Sequence, residues 1–108
     1  MNEITRFRDT VTITANSSAG TTSNRIAFGP FAGGCVVIAA TNGCTQIGWY
    51  GAAGPSDTPV QVYSGGNAVT TAVTVGAHAI PDACFALPFV SPVVSGGTTC
   101  GMTVLLKG

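Results

Sequence analysis

Charged side chains are scarce in this chain, and most of them lie near its two ends. Only 7% of the 108 residues are Asp, Glu, Lys or Arg, against roughly 25% in an ordinary soluble domain. Between Ile26 and Leu106 the only ones are Asp57 and Asp82, and one histidine, His78, accompanies them. Acid–base and covalent catalysis need titratable groups close together. The composition therefore predicts a protein that is not an enzyme, with no catalytic residues.

The chain also lacks a charge excess and a long apolar run. Four basic residues balance four acidic ones, so no net field attracts phosphate backbones or anionic lipid headgroups. The longest apolar stretch, 35–40, is far shorter than the about 20 residues that span a bilayer. The first residues contain no apolar segment of the signal-peptide kind. We therefore expect no nucleic-acid partner, no membrane partner, and synthesis in the cytosol without secretion.

What the chain does contain is a strand pattern. Residues 10–15 alternate Thr with Val, Ile and Ala, which predicts a strand with one buried face. Similar short segments recur at spacings of about 8 to 12 residues, separated by Gly and Pro. This pattern predicts one all-β domain over residues 1–108, an antiparallel β-sandwich or jelly roll of about eight short strands, with residues 1–9 as an N-terminal arm. Pro92, inside such a segment, predicts an edge strand or a bulge.

One turn predicts a detailed register. Asn42-Gly43 is the strongest short hairpin signal, because both residues tolerate a positive φ. A two-residue turn here would place Val36 opposite Trp49 and Ile38 opposite Ile47. These four side chains would then share one core-facing surface of a hairpin.

The four cysteines do not have metal-site spacing. They are Cys35, Cys44, Cys84 and Cys100, with no C-x-x-C pair, so neither a zinc site nor a redox motif is indicated. Buried free thiols are favoured over disulfides, because no secretion signal is visible. If bridges form after release from a reducing cell, pairings across to Cys84 and Cys100 are favoured.

One small cluster is worth testing for chemistry. His78, Asp82 and Cys84 are close in sequence, and a Cys–His pair can act as nucleophile and base or bind a metal. Structural roles are the favoured interpretation, with Asp82 supporting a helix start and Cys84 in the core. Asp57 has no second acid near it in sequence, so it does not indicate a calcium site. We expect no metal and no cofactor.

Several segments resemble a known class of proteins. They are, in chain order, the Thr-Val-Thr-Ile strand of 10–13, 31–34 (FAGG), 47–53 (IGWYGAA), 60–63 (VQVY), 79–85 (AIPDACF) and 104–108 (VLLKG). In this order they look like small proteins encoded in tailed-phage structural gene clusters. The chain is also similar in size and composition to phage capsid decoration, or cement, proteins, many of which are β-sandwiches or β-tulips that sit as trimers over lattice points of the capsid. The resemblance implies a location in the virion, contacts with the major capsid protein and with copies of itself, and a role in holding neighbouring capsomers together.

Two other functions stay open. A carbohydrate-binding or adhesive module of a fibre or tail would have the same fold, and an exposed aromatic row that includes Trp49 would support it. A small hydrolase that uses His78 and Cys84 is the third interpretation. In the virion interpretation, the charged segment 3–9 is expected to reach a neighbouring subunit and add a strand to its sheet.

Overall fold

The computed structural model describes residues 8–16, 25–29, 31–97 and 99–107. These residues form eleven strands and one 3₁₀ helix. The strands are, in chain order, β1 (Arg8–Asn16), β2 (Ile26–Ala27), β3 (Gly33–Ile38), β4 (Gln46–Ala52), β5 (Val60–Gln61), β6 (Tyr63–Ser64), β7 (Asn67–Ala68), β8 (Thr70–Ala72), β9 (Gly76–Ala79), β10 (Phe89–Ser95) and β11 (Thr99–Lys107), and the 3₁₀ helix is Asp82–Ala86. The predicted all-β class is confirmed. The count exceeds eight because several of the strands have only two residues.

The strands form a sandwich of two layers around one apolar core. In the first layer β11 lies between β1 and β3, and β9 pairs with the far side of β3. In the second layer β4 is central, with β10 on one side and both β5 and β8 on the other. β2 pairs with β10, and β6 with β7 forms a separate small hairpin. A parallel bridge between Asn16 and Val93 joins the layers.

Strand β1 confirms the alternation seen in the sequence. Ile13 and Ala15 are buried, whereas the three threonines of 10–14 are exposed. β1 pairs with β11 along its whole length, from Arg8 opposite Lys107 onward. Residues 8 and 9 therefore belong to the sheet and not to an arm, which corrects the predicted boundary. Residues 1–7 of that predicted arm lie outside the described residues.

The Asn42-Gly43 turn forms, but the strands on its two sides do not pair with each other. Asn42 and Gly43 have φ of 50° and 82°, as in a type I′ turn. The Cys44 N–H donates to the Thr41 carbonyl at 2.9 Å. Beyond the turn, β3 pairs with β11 and β9, whereas β4 pairs with β10, β5 and β8. The predicted hairpin is therefore wrong.

The four residues of the predicted hairpin face are nevertheless all buried. Val36 and Ile38 enter the core from the first layer, and Ile47 and Trp49 enter it from the second. They belong to one core cluster between the two layers and not to one face of a hairpin. Residues 39–45 lie outside both strands, which leaves enough chain to cross between layers. Facing layers bury both apolar surfaces at once, as sandwich packing requires.

Pro92 lies in β10, whose register with β4 is continuous, so the predicted bulge is absent from this strand pair. On its other flank β10 pairs with β2 at Phe89 and Val90 and with β1 at Val93. Pro92 pairs with Trp49 in a regular β4–β10 register. The Trp49 N–H donates to the Val69 carbonyl at 3.1 Å, and the Trp49 carbonyl accepts from the Val62 N–H at 2.9 Å. Both bonds point away from β10, so β4 does not need an N–H at position 92. Proline is tolerated there because its missing donor falls on the other flank of β10.

Trp49 is the largest side chain of the core and has no exposed surface. Its single polar atom is satisfied, because Nε1–H donates to Thr71 Oγ1 in β8 at 2.9 Å. Burial of a large side chain stabilises a fold by about 1.5 to 3 kcal/mol. A buried indole whose N–H had no acceptor would lose part of that gain.

We expect Thr71→Val to lower the free energy of unfolding by about 1 to 3 kcal/mol, because the buried indole N–H loses its acceptor. Urea unfolding followed by circular dichroism measures the change. The matched control is Thr70→Val, at an exposed neighbouring position of the same strand, which should change stability by less than about 0.5 kcal/mol. Equal stability of the two variants would contradict the proposed role of this hydrogen bond.

Candidate interaction surface

The three residues considered for chemistry lie in different surroundings. His78 is in β9, and its Nε2 is 3.1 Å from Thr74 Oγ1 and 2.9 Å from the Thr74 carbonyl oxygen. Asp82 is exposed at the start of the 3₁₀ helix, whereas Cys84 in the same helix is fully buried. The histidine therefore interacts with a threonine of its own turn, and the cysteine faces the core.

Burial also sets the chemistry of Cys84. Removal of this thiol from water raises its pKa from an ordinary 9.0 to about 12. A thiolate, not a thiol, is the nucleophile and the metal ligand, so near neutral pH Cys84 is held in its unreactive form. Among the described residues, no group of three or more His, Cys, Asp and Glu side chains is placed to hold a metal ion.

A shallow groove lies between the 60–63 segment and the 3₁₀ helix. Its volume is about 260 Å³, just under the lower end of the range for small-molecule sites, roughly 300 to 1,000 Å³. Its lining is mostly apolar, and it includes Val60, Gln61, Tyr63, Ala83, Ala86 and Leu87. A groove of this size and lining fits an apolar side chain of a partner protein better than a polar metabolite.

The outer rim of the groove is apolar and exposed. Val60 and Tyr63 have 66% and 64% of their surface accessible, and both line the same groove. Tyrosine is enriched at protein interfaces because its ring is apolar and its hydroxyl can stay wet. We call Val60, Tyr63 and the lining of the groove the groove surface.

Beneath this surface the backbone is well bonded. The Gln61 side-chain amide donates to the carbonyl oxygens of Val62 at 2.9 Å, Trp49 at 3.1 Å and Val69 at 3.4 Å. One side chain thus connects β5 to the backbone around the buried tryptophan. At Gly51, an added Cβ would lie 2.3 Å from Leu87 Cδ1, so the glycine lets the leucine pack directly on β4.

Arg25 holds the loop that leads into β5. Its Nη1 donates to the Gly54 carbonyl at 2.8 Å, and its Nη2 donates to the Asp57 carbonyl. The guanidinium group is planar and presents its donors as a fork, so it can hold two carbonyls of one loop together. We call this arrangement the Arg25 clamp. It fixes the approach to Val60 and therefore one side of the groove surface.

We expect Arg25→Met to speed hydrogen exchange of the Asp57 amide, whose N–H donates to Gly54 at 3.3 Å. Loss of two hydrogen bonds from a half-exposed charged donor is worth about 1 to 2 kcal/mol, or roughly five- to thirtyfold in exchange. Lys107→Met, which removes an exposed cation at the end of β11, is the control. Unchanged exchange at Asp57 in Arg25→Met would contradict the clamp.

The aromatic residues do not form an exposed row that includes Trp49. The tryptophan is fully buried and Tyr50 is half-buried, whereas Tyr63 is exposed. Flat sugar rings stack on accessible aromatic faces. The burial of Trp49 therefore weakens the carbohydrate-binding interpretation.

Sequence patterns did not indicate the groove surface or the Arg25 clamp. Val60 and Val62 are two residues apart, so in one regular strand they would share a face. In the structure Val62 is buried and Val60 is exposed. The segment splits between β5 and β6 at residue 62, and nothing in its composition marks that break. The clamp joins residues 29 and 32 positions apart, a separation that local patterns cannot detect.

The comparisons with known proteins give no assignment. No protein-family model matches the chain, and no curated protein or solved structure is significantly similar to it. No helix among the described residues is long and apolar enough to cross a membrane.

Proposed function

We propose that this chain is a structural protein of a tailed-phage virion, of the capsid decoration or cement type, which stabilises the shell through contacts with the major capsid protein and with its own copies. The observation that supports it best is the groove surface, an exposed apolar feature in a β-sandwich with very few charges. The resemblance of the chain's segments to tailed-phage structural proteins points the same way.

The low charge of the chain favours a role as a subunit of an assembly. A free monomer with so few charges has little electrostatic repulsion to keep its copies apart. A subunit whose outer face is covered in an assembly does not need that repulsion. The affinity of such a subunit for its neighbours comes from complementary shape and from the removal of water from the interface. A few well-packed aromatic and aliphatic side chains give most of the binding energy.

The partner surface implied by the groove is uncharged. None of the described residues that line the groove is an Asp, Glu, Lys, Arg or His, so a charged group placed there would be buried without a counter-ion. We propose that an apolar side chain of the major capsid protein enters the groove and contacts Val60 and Tyr63. The Arg25 clamp holds the loop in place beforehand, which reduces the ordering cost of binding.

The first test is location. We expect purified virions of the phage that encodes this chain to contain it in many copies, as measured by quantitative mass spectrometry. Light scattering on the isolated chain reports whether it associates with itself. Absence of the chain from the particles would refute the proposal.

The second test concerns the contact. We expect Val60→Asp to bind capsids that lack the protein at least about tenfold more weakly in co-sedimentation, because the interface would bury an unpaired carboxylate. Val75→Asp is a matched control, since Val75 has 68% exposure against 66% for Val60 and does not line the groove. Binding of Val60→Asp at the wild-type level, with the fold intact by circular dichroism, would exclude the groove surface as the contact.

A further inference from the structure

Two buried cysteines lie in neighbouring segments at one end of the sandwich. Cys44 directly follows the Asn42-Gly43 turn, and Cys100 is the second residue of β11. Both are buried, at 3% and 0% exposure. The Cys44 thiol donates to the carbonyl of Thr99, the residue before Cys100, at 3.2 Å. The Cys100 thiol donates to the carbonyl of Ala40, just before the Asn42-Gly43 turn, at 3.9 Å. These residues are far apart in sequence, so only the fold brings them together.

Two turns pack on each other to form this end. The Thr45 N–H donates to the Ser95 carbonyl at 2.8 Å, which ties the segment after the first turn to the end of β10. A Cβ at Gly97 would lie 3.0 Å from Cys44 Sγ, so the turn between β10 and β11 lies directly against the thiol. Cys44 is thus held between this turn and the start of β11. The pair is positioned by backbone on both sides and not by flexible side chains.

The other two cysteines are placed differently. Cys35 is half-buried on β3, next to the core-facing Val36, so alternation along the strand turns it to the opposite face. Cys84 is buried in the 3₁₀ helix. The structure therefore selects one pair among the bridges that the sequence left open.

We propose that Cys44 and Cys100 are a dithiol that closes to a disulfide when the folded protein meets a low-molecular-weight disulfide such as oxidised glutathione. The thiolate of Cys44 attacks one sulfur of the reagent, the reagent's S–S bond breaks, and one small thiol leaves with the proton that Cys44 lost. The Cys100 thiolate then attacks the Cys44 sulfur, a protein S–S bond forms, and the second small thiol leaves with the proton from Cys100. Two protein thiols are oxidised and one reagent disulfide is reduced.

The bond would tie the segment that crosses between the layers to β11. In a reducing cytosol both residues stay thiols, and in an oxidising medium the pair closes. The closed loop runs from residue 44 to residue 100, so it restricts a large part of the unfolded chain, and long loops give the larger stabilisation in the chain-entropy model. The inference does not depend on the virion proposal, since it concerns only the folded chain.

The closing step depends on pH. Burial raises the pKa of the Cys100 thiol above its ordinary value, and the neighbouring Cys44 adds to the effect. The thiolate fraction of Cys100 is therefore small at neutral pH and grows as the pH rises. Closure of the mixed disulfide should be faster at pH 9 than at pH 7.

The test is peptide mapping of the folded protein after treatment with oxidised glutathione and alkylation of the remaining thiols. Trypsin is unsuitable, because no Lys or Arg lies between Arg25 and Lys107. Chymotrypsin separates Cys44 from Cys84 and Cys100, and in Cys35→Ser the peptide that ends at Trp49 contains Cys44 as its only cysteine. We expect a cross-linked peptide pair that contains Cys44 and Cys100, and a midpoint of thermal unfolding at least about 5 °C above that of the reduced protein.

Controls separate this pair from general oxidation. Cys44→Ser and Cys100→Ser should each abolish the cross-link and the thermal shift, whereas Cys35→Ser should keep both. In the wild-type chain Cys35 and Cys44 share the peptide that ends at Trp49, and fragmentation of the cross-linked peptide by tandem mass spectrometry identifies which of them is bonded, so the test does not depend on whether any variant folds. Alkylation of both Cys44 and Cys100 after oxidation, or a cross-link between any other two cysteines, would overturn the proposal.

Discussion

The structure depends on one apolar core that is shared by two layers of strands, with Trp49 as its largest side chain. β4, which contains this residue, is the central strand of its layer and has β10 on one side and β5 and β8 on the other. Because the indole N–H is bonded to Thr71, the core accepts its largest member without leaving a buried donor unpaired. The layout of strands around β4 then determines where the exposed loop and groove lie.

The sequence was most informative where a structural feature depends only on residues that are close together in the chain. The alternation in residues 10–15 predicted which face of β1 is buried, since strand geometry alone fixes that choice. The Asn42-Gly43 turn was also predictable, because its backbone conformation is a local property. The identity of strand neighbours is not local. Val36 and Trp49 are both buried, but whether they pair in one layer or face each other across two depends on all the other strands.

Pro92 and the cysteine pair also show that sequence alone does not predict which segments become neighbours. A proline inside a sheet is tolerated when its missing N–H falls on a side that does not need it, and this depends on the register with β4. Likewise, four cysteines without motif spacing allow three pairings of two bridges. Only the packing of one turn on another brings Cys44 to the start of β11, where Cys100 lies. The sequence shows that Pro92 and the four cysteines are present, but it does not show which residues lie next to them in the fold.

The scarcity of charge connects the core, the groove surface and the thiol pair. A chain with 7% charged residues obtains little stability from ion pairs, and exposed ion pairs contribute little in any case. Its stability must therefore come from dry packing, and the contacts with partners that we propose would come from the same source. A domain of about 100 residues has a limited core, so two further sources of stability matter to it. One is burial of exposed apolar residues such as Val60 and Tyr63 against a partner. The other is a covalent link between Cys44 and Cys100, which needs no charged group and acts in the isolated chain as well as in an assembly.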